Sequence, residues 1–151
     1  MGITAVVLDS TPLGLVTQKT GKSSEADACR AWMENLLNQG VDVYVPEIAD
    51  YELRREMVRA GLTNSILRLD KLKTFLHYLP LTTPIMHHAA DLWAYARKAG
   101  IPTADQHALD GDVIVCAQTL SVGLAAPDVV VVTSNVNHLS RFVQADLWQN
   151  I

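Results

Sequence analysis

Four acids and one amide-bearing stretch are the residues of this chain whose types and spacing could do chemistry. Asp9 ends the apolar run ITAVVLD, and Glu52 sits in EIADYELRRE. Asp110 and Asp112 open DGDVIV, and Thr133, Ser134 and Asn135 follow four valines in VVVVTSNVNHLSRF. Taken singly, each acid reads as a helix cap or a solvated charge. Gathered at one rim, unscreened carboxylates repel and raise each other's pKa values. A divalent cation removes that penalty, and carboxylates with water are the ligands that magnesium or manganese prefers. Polar residues at the tip of a buried strand commonly mark such a rim.

The acids are not equivalent. Two helical positions are about 200° of rotation apart, so Asp110 and Asp112 diverge if both are helical. Asp112 leads into the apolar face and is the expected ligand. Asp110 is the expected N-cap, with a metal or water role as its second option. In the segment around Glu52, Ile48, Tyr51 and Met57 are the expected core positions, and Glu52 borders that face. Glu47 and Glu56 read as solvated. Asp50 reads as a first-turn acid favoured by the helix dipole and pointing away from Glu52.

These residues need elements to carry them to one place. ITAVVLD is short, apolar and β-branched, and it predicts a central strand ending at Asp9. Ser10 or Thr11 caps a short helix near Pro12. SSEADACRAWMENLLNQG has serine caps, early acids and a closing Gly40, which predicts a helix. VDVYV is a second strand, stopped by Pro46, and EIADYELRREMVRAG is another helix, closed by Gly61. Residues 64–76 read as helical, and FLHYLPL offers a third strand. Thr83-Pro84 opens a long helix ending at Gly100. IPTADQHAL reads as a loop. DGDVIVCAQTLSVG is ambiguous between strand and helix. VVVVT is the last strong strand, and a short final strand is expected near Leu147. Strands alternating with helices predict a mainly parallel sheet covered on both faces, with sites at the strands' carboxyl ends.

The 151 residues fit one domain, 1–151, and 49% of them are hydrophobic, enough for a real core. No run reaches the roughly 20 apolar residues a membrane span needs. The N-terminus lacks the basic start of a secretion signal. Cys29 and Cys116 lie in apolar segments and read as buried free thiols of a reducing cytoplasm. A net charge of −4 argues against tight non-specific nucleic-acid binding by the chain as a whole. Six of the 12 basic residues nevertheless fall between Arg54 and Lys73. They form either a solvated helix face or a patch that follows phosphates.

Four motifs, in order and across nearly the whole chain, resemble the PIN-domain nucleases. They are LDST at Asp9, ADYELRRE at Glu52, LDGDVIVCAQ at Asp112, and TSNVNHLSRF. VapC-type toxins of bacterial toxin–antitoxin pairs are the nearest group. The resemblance implies a three-layer α/β/α domain and a pocket holding Mg2+ or Mn2+. It also implies metal-dependent endoribonuclease activity, hydrolysing RNA phosphodiester bonds. Asp9, Glu52 and Asp112 match the family's acids: Asp9 and Asp112 as direct ligands, Glu52 acting through water. Thr11, Asp110, Thr133, Ser134 and Asn135 would support those ligands or touch substrate. Arg54, Arg55 and Arg59 would draw the RNA. A small antitoxin and a second copy of the chain are the implied protein partners, and no membrane is involved. The chain departs from the family at Asn135, where many members carry an aspartate, so a second metal should bind weakly.

Asn135 also keeps open a non-enzymatic alternative, a catalytically impaired PIN-like module that binds RNA or protein. Other classes fit less well. The five histidines have no zinc-site spacing, and no glycine-rich nucleotide loop occurs. An aspartate-nucleophile phosphohydrolase needs an acid two residues after Asp9, and position 11 is threonine.

Overall fold

The computed structural model describes residues 2–100, 106–126 and 128–151. The chain runs β1 (Ala5–Leu8), α1 (Ser10–Thr17), α2 (Ser24–Asn38), β2 (Asp42–Pro46), α3 (Glu47–Arg59) and α4 (Thr63–Lys73). It continues β3 (His77–Leu79), α5 (Thr83–Lys98), α6 (Gln106–Gly123), β4 (Val129–Val132), α7 (Val136–Leu139) and β5 (Ala145–Asp146), then one 3-10 turn at Trp148–Asn150.

The strands form one sheet in the order β3-β2-β1-β4-β5, each parallel to its neighbour. Every residue of β1 and β4 is buried. Alternate side chains of a strand point to opposite faces, so a strand covered on both sides must be apolar throughout. Val6 and Leu8 join Val43, Val45 and Val132 beneath Leu13, Cys29, Met33 and Leu69 of α1, α2 and α4. Ala5 and Val7 join Val129 and Val131 against Val115, Cys116 and Val122 of α6. Helix α5 lies outside α6, packed through Ala89, Ala96, Leu109, Val113 and Ala117. The expected three-layer α/β/α architecture is the one observed. Each fully buried valine or leucine of β1 contributes roughly 1.5–3 kcal/mol. The chain leaves β1 toward one sheet edge and reaches β4 on the other side. The strand order therefore reverses between β1 and β4, the place where parallel sheets open a crevice at their carboxyl ends.

Local chemistry sets the ends of the helices. Ser23 caps α2 by accepting from the Ala26 N–H, and Thr82 caps α5 through Ile85. Gly61 takes φ +68° after α3, a conformation that disfavours any side chain. The described cysteines are free and buried, as expected.

Four expectations need correction. Neither Ser10 nor Thr11 caps α1; Asp9 does, its carboxylate accepting from the Ser10 N–H. Residues 106–109 are helical rather than loop, while 101–105 lie outside the described residues. The ambiguous segment is helix, because α6 is sandwiched between the sheet and α5. A helix buried on nearly all sides shows little amphipathic pattern, and β-branched residues are tolerated in it. Asp110 is consequently not an N-cap, since α6 begins four residues before it, at Gln106. Finally, Tyr51 is not core: it is 56% exposed, whereas Ala49 and Asp50 are buried beside Ile48 and Met57.

Candidate active site

Asp9 stands where β1 becomes α1. Its backbone N–H donates to the Val132 carbonyl at 2.9 Å, which fastens the tip of β1 to the tip of β4. Its carboxylate accepts from the Ser10 N–H at 2.8 Å and the Thr133 hydroxyl at 2.9 Å. The Thr133 hydroxyl in turn accepts the Asn135 N–H at 2.9 Å. Thr133 is buried, so the first residue past the four valines orients Asp9 directly. Ser134 donates to the Thr11 hydroxyl at 3.1 Å, joining the same two tips nearer solvent.

Asp112 and Glu52 reach this rim from α6 and α3. Glu52 Oε2 lies 3.2 Å from where a Cβ on Gly111 would sit. Glycine inside a helix is disfavoured by about 1 kcal/mol relative to alanine. Here it lets the α3 carboxylate lie against the backbone of α6, one residue before Asp112. The Asn135 amide Nδ2 contacts Asp112 Oδ1 at 3.4 Å, and His138 Nδ1 lies 3.4 Å from Asp112 Oδ2.

The electrostatics agree with this convergence. Burial pushes the Asp9 carboxyl above its ordinary value against the opposing Ser10 and Thr133 hydrogen bonds. Burial also raises Glu52, and the charges of Asp9 and Asp112 raise it further against the pull of Arg55. Asp112 is raised by burial and by Asp9, with His138 and Asn135 pulling the other way. Three carboxyls from three elements thus share one field. Among the described residues, no three His, Cys, Asp or Glu side chains are gathered closely enough to hold a metal ion as they stand. The donor chemistry still suits a hard divalent cation: three oxygen donors that disfavour each other's charge, at the opening of a parallel sheet.

Thr11, Thr133, Ser134 and Asn135 join this group; Asp110 does not. It lines a hollow of about 400 Å³ between α5 and α6 with Met86, Ala89, Trp93 and Val113. The divergence of Asp110 from Asp112 is the one that helical spacing demands. The three arginines separate as well. Arg54 is held by Asp50 and Asp70 at 3.0 and 2.6 Å, and Arg59 pairs with Glu56 at 2.9 Å. Arg55 is the arginine that acts on Glu52, its guanidinium 5.2 Å from the Tyr51 ring centre. Glu47 is not simply solvated either, since it accepts the Leu81 N–H.

Sequence reasoning did not place His138 in the site, and it overlooked Gly111. His138 lies three positions after Asn135, a spacing that puts both on one side of a helical turn. Gly111 gave no signal, because its partner Glu52 comes from a distant segment.

No protein-family model matches the chain, and no curated protein matches it. Solved structures do. A chain of the VapBC2 complex of Rickettsia felis, bound to a DNA fragment from their promoter, superposes with a TM-score of 0.72 at 13% identity. The match covers 95% of this chain and 98% of that one. A chain of DNA-bound VapBC from Salmonella typhimurium gives 0.71 at 16% identity, covering 97% and 99%. A chain of VapBC-1 from nontypeable Haemophilus influenzae gives 0.64 at 15% identity, covering 96% and 98%. Identities this low speak for a common fold, and the PIN-like fold expected from the motifs is the one these chains share.

Proposed function

We propose that the chain is a metal-dependent endoribonuclease, the toxin of a type II toxin–antitoxin pair working in the cytoplasm. The observation that carries this reading is the convergence of Asp9, Glu52 and Asp112 at the β1–β4 opening of a fold shared with chains of VapBC complexes. Asp9 and Asp112 would hold Mg2+ or Mn2+ directly, and Glu52 through water. When bound, such an ion supplies a lowered water pKa and charge neutralisation at the leaving oxygen. The protein's own groups fix the geometry. Thr133 and the Ser10 N–H hold Asp9, and Asn135 and His138 hold Asp112. The Asn135 side chain is an amide, so it supports Asp112 without adding a fourth negative charge.

The RNA would be drawn by local positive charge, since the chain is net negative. A cleft of about 550 Å³ begins at Ser10 and Thr11 and is lined by Lys19, Lys22, Arg59 and Arg68, with Glu56 its acid. Arg55 does not line that cleft; three positions after Glu52 on α3, its charge acts on that acid. Arg54 has a structural part, tied to two aspartates. Protein partners have surface available: Tyr51 and Val58 stand on α3, Leu62 lies between α3 and α4, and Leu67 and Phe75 follow, all exposed. A homodimer and a small antitoxin are the partners we assign to such surface. Among the described residues, no helix is long and apolar enough to cross a membrane.

A mixed RNA pool incubated with Mg2+ or Mn2+ tests the proposal. Cleavage that disappears on chelation and in Asp9→Asn supports it. Asn135 and the ungathered acids favour a second reading, a PIN-like module that binds RNA or protein without cutting. RNA retained intact in both metals would select that reading.

A further inference from the structure

Two clefts on one side of the molecule run into each other. The first begins at Ser10 and Thr11, next to Asp9, and holds Lys19, Lys22, Arg59 and Arg68. The second, of about 530 Å³, is lined from α2 and α4 and adds Arg30 and Lys71. Thr17, Gln18, Lys19 and Arg68 line both, so one continuous path leads away from the candidate site. Helix α1, eight residues long, alone spans about 12 Å of it. Among the described residues, the path holds six of the chain's 12 basic residues and two of its 16 acids, Glu34 and Glu56. In a chain of net charge −4, that is a strong local excess of positive charge.

Much of this charge is uncancelled. Among the described residues, no acid pairs with Lys19, Lys22, Arg68 or Lys71. Arg68 is held in place by neutral groups, its Nε donating to the Thr17 carbonyl and a second nitrogen to the Ser65 hydroxyl, both at 3.0 Å. Its guanidinium is therefore positioned without losing its charge. Arg54 and Lys73, from the same basic stretch of sequence, are instead consumed by Asp50 and Asp70. The path ends at Phe75, whose ring lines the second cleft and is 70% exposed. Solvated charge alone has no use for an exposed ring. A positive groove closed by an aromatic face is the combination that binds single-stranded nucleic acid.

We infer that this path is a track for single-stranded RNA, with phosphates on Lys19, Lys22, Arg68 and Lys71 and one base stacked on Phe75. The inference rests on the RNA-directed reading above and extends it well beyond the scissile bond. A paired base has its faces covered by its neighbours in the helix, so Phe75 can accept only an unpaired, splayed base.

The test is fluorescence anisotropy of the full chain with an unstructured, labelled RNA of about 12 nucleotides, in EDTA so that binding is read without cleavage. The single strand should bind about tenfold or more tighter than its duplex. Log Kd should rise with log salt at a slope of about 3, from four phosphate contacts at about 0.7 each. Lys19→Gln and Lys71→Gln should each lower that slope by about 0.7. Lys98→Gln, on α5 across the sheet, should leave it unchanged. Phe75→Ala should weaken binding by about 5–100-fold with the slope unchanged, and Phe75→Trp should restore it. Phe75→Leu is apolar but has no aromatic face, and should lose as much as alanine. All four positions are exposed, so these variants keep the fold. Equal affinity for duplex and single strand, or slopes unmoved in both lysine variants, overturns the inference. Full affinity in Phe75→Leu overturns it too, and marks the end of the path as an apolar docking surface for protein. Metal-dependent cleavage by the same protein would then leave the nuclease reading standing. Binding along the track with RNA left intact in both metals keeps the track and removes the nuclease.

Discussion

Asp50 and Glu52 are two residues apart on one helix, and the fold treats them in opposite ways. Asp50 has a side chain only 7% exposed, and cations surround it: Lys73 at 2.6 Å and Arg54 at 3.0 Å, with the Tyr78 hydroxyl donating at 3.4 Å. Arg54 also reaches Asp70, so α3, α4 and β3 are tied through one buried charge. For Glu52, burial and the charges of Asp9 and Asp112 oppose ionisation, against the pull of Arg55. Buried charges are tolerable when paired. An acid whose burial is answered by cations holds a fold together. Acids whose burial is answered in part by other acids suit the divalent cation proposed for this site.

The sharpest way to break this contrast is to neutralise each side. If the proposed activity holds, Asp112→Asn should lower RNA cleavage by about 10³-fold, measured on a fixed RNA with Mn2+, because the charge of a proposed ligand would be lost. The same change should leave the fold intact by circular dichroism. Asp50→Ala should do the reverse. It strands Arg54 and Lys73, and we expect a loss of about 2–4 kcal/mol in urea unfolding, below the full buried-pair value because those partners are 30% and 24% exposed.

The pH dependence follows from the raised carboxyls of Asp9, Glu52 and Asp112. A group raised in the folded state contributes stability fully below its unfolded value and loses it as pH rises through the folded value. Metal-free protein should therefore gain melting temperature as pH falls from neutral toward the ordinary carboxylate range. Added Mn2+ should flatten that rise. Asp27 and Asp70 are lowered, by the Gly21 N–H and by Arg54 respectively, and their contributions are lost only at more acidic pH. A smaller effect of the same sign is expected from Glu52→Gln, a gain below about 1 kcal/mol in metal-free protein, since Glu52 is partly solvated. Gly111→Ala separates stability from function most finely. Helix propensity favours alanine by about 1 kcal/mol, while the new methyl must push the Glu52 carboxylate aside. Unchanged or improved unfolding with weaker Mn2+ binding is the expected pair of results.

Much of the positioning framework could be read from residues alone. Four valines in succession, and AVVL before Asp9, admit few interpretations beyond strands covered on both faces. Their shared rim followed from parallel order. What could not be read was every feature made by distant partners. Nothing near Asp50 announces that Lys73 will arrive from α4, so the acid looked like a dipole-favoured surface charge. For the same reason Arg54 looked available to RNA. The start of α6 was obscured because a helix buried on most sides carries little periodicity, and the β-branched VIV leans toward strand. Asp110 was misplaced as a direct result. His138 was visible but had no context until Asn135 and Asp112 closed around it.

Asp9 performs two jobs with one carboxylate: it begins a helix and it contributes to the pocket. Asparagine can start a helix nearly as well, whereas alanine leaves a backbone donor unanswered. A lineage losing the activity would therefore find position 9 the hardest of the acids to let drift. Decay should show first at the tip of β4 and along α6, where a change of charge leaves the architecture standing. The amide at position 135 is the kind of first step such a history would record.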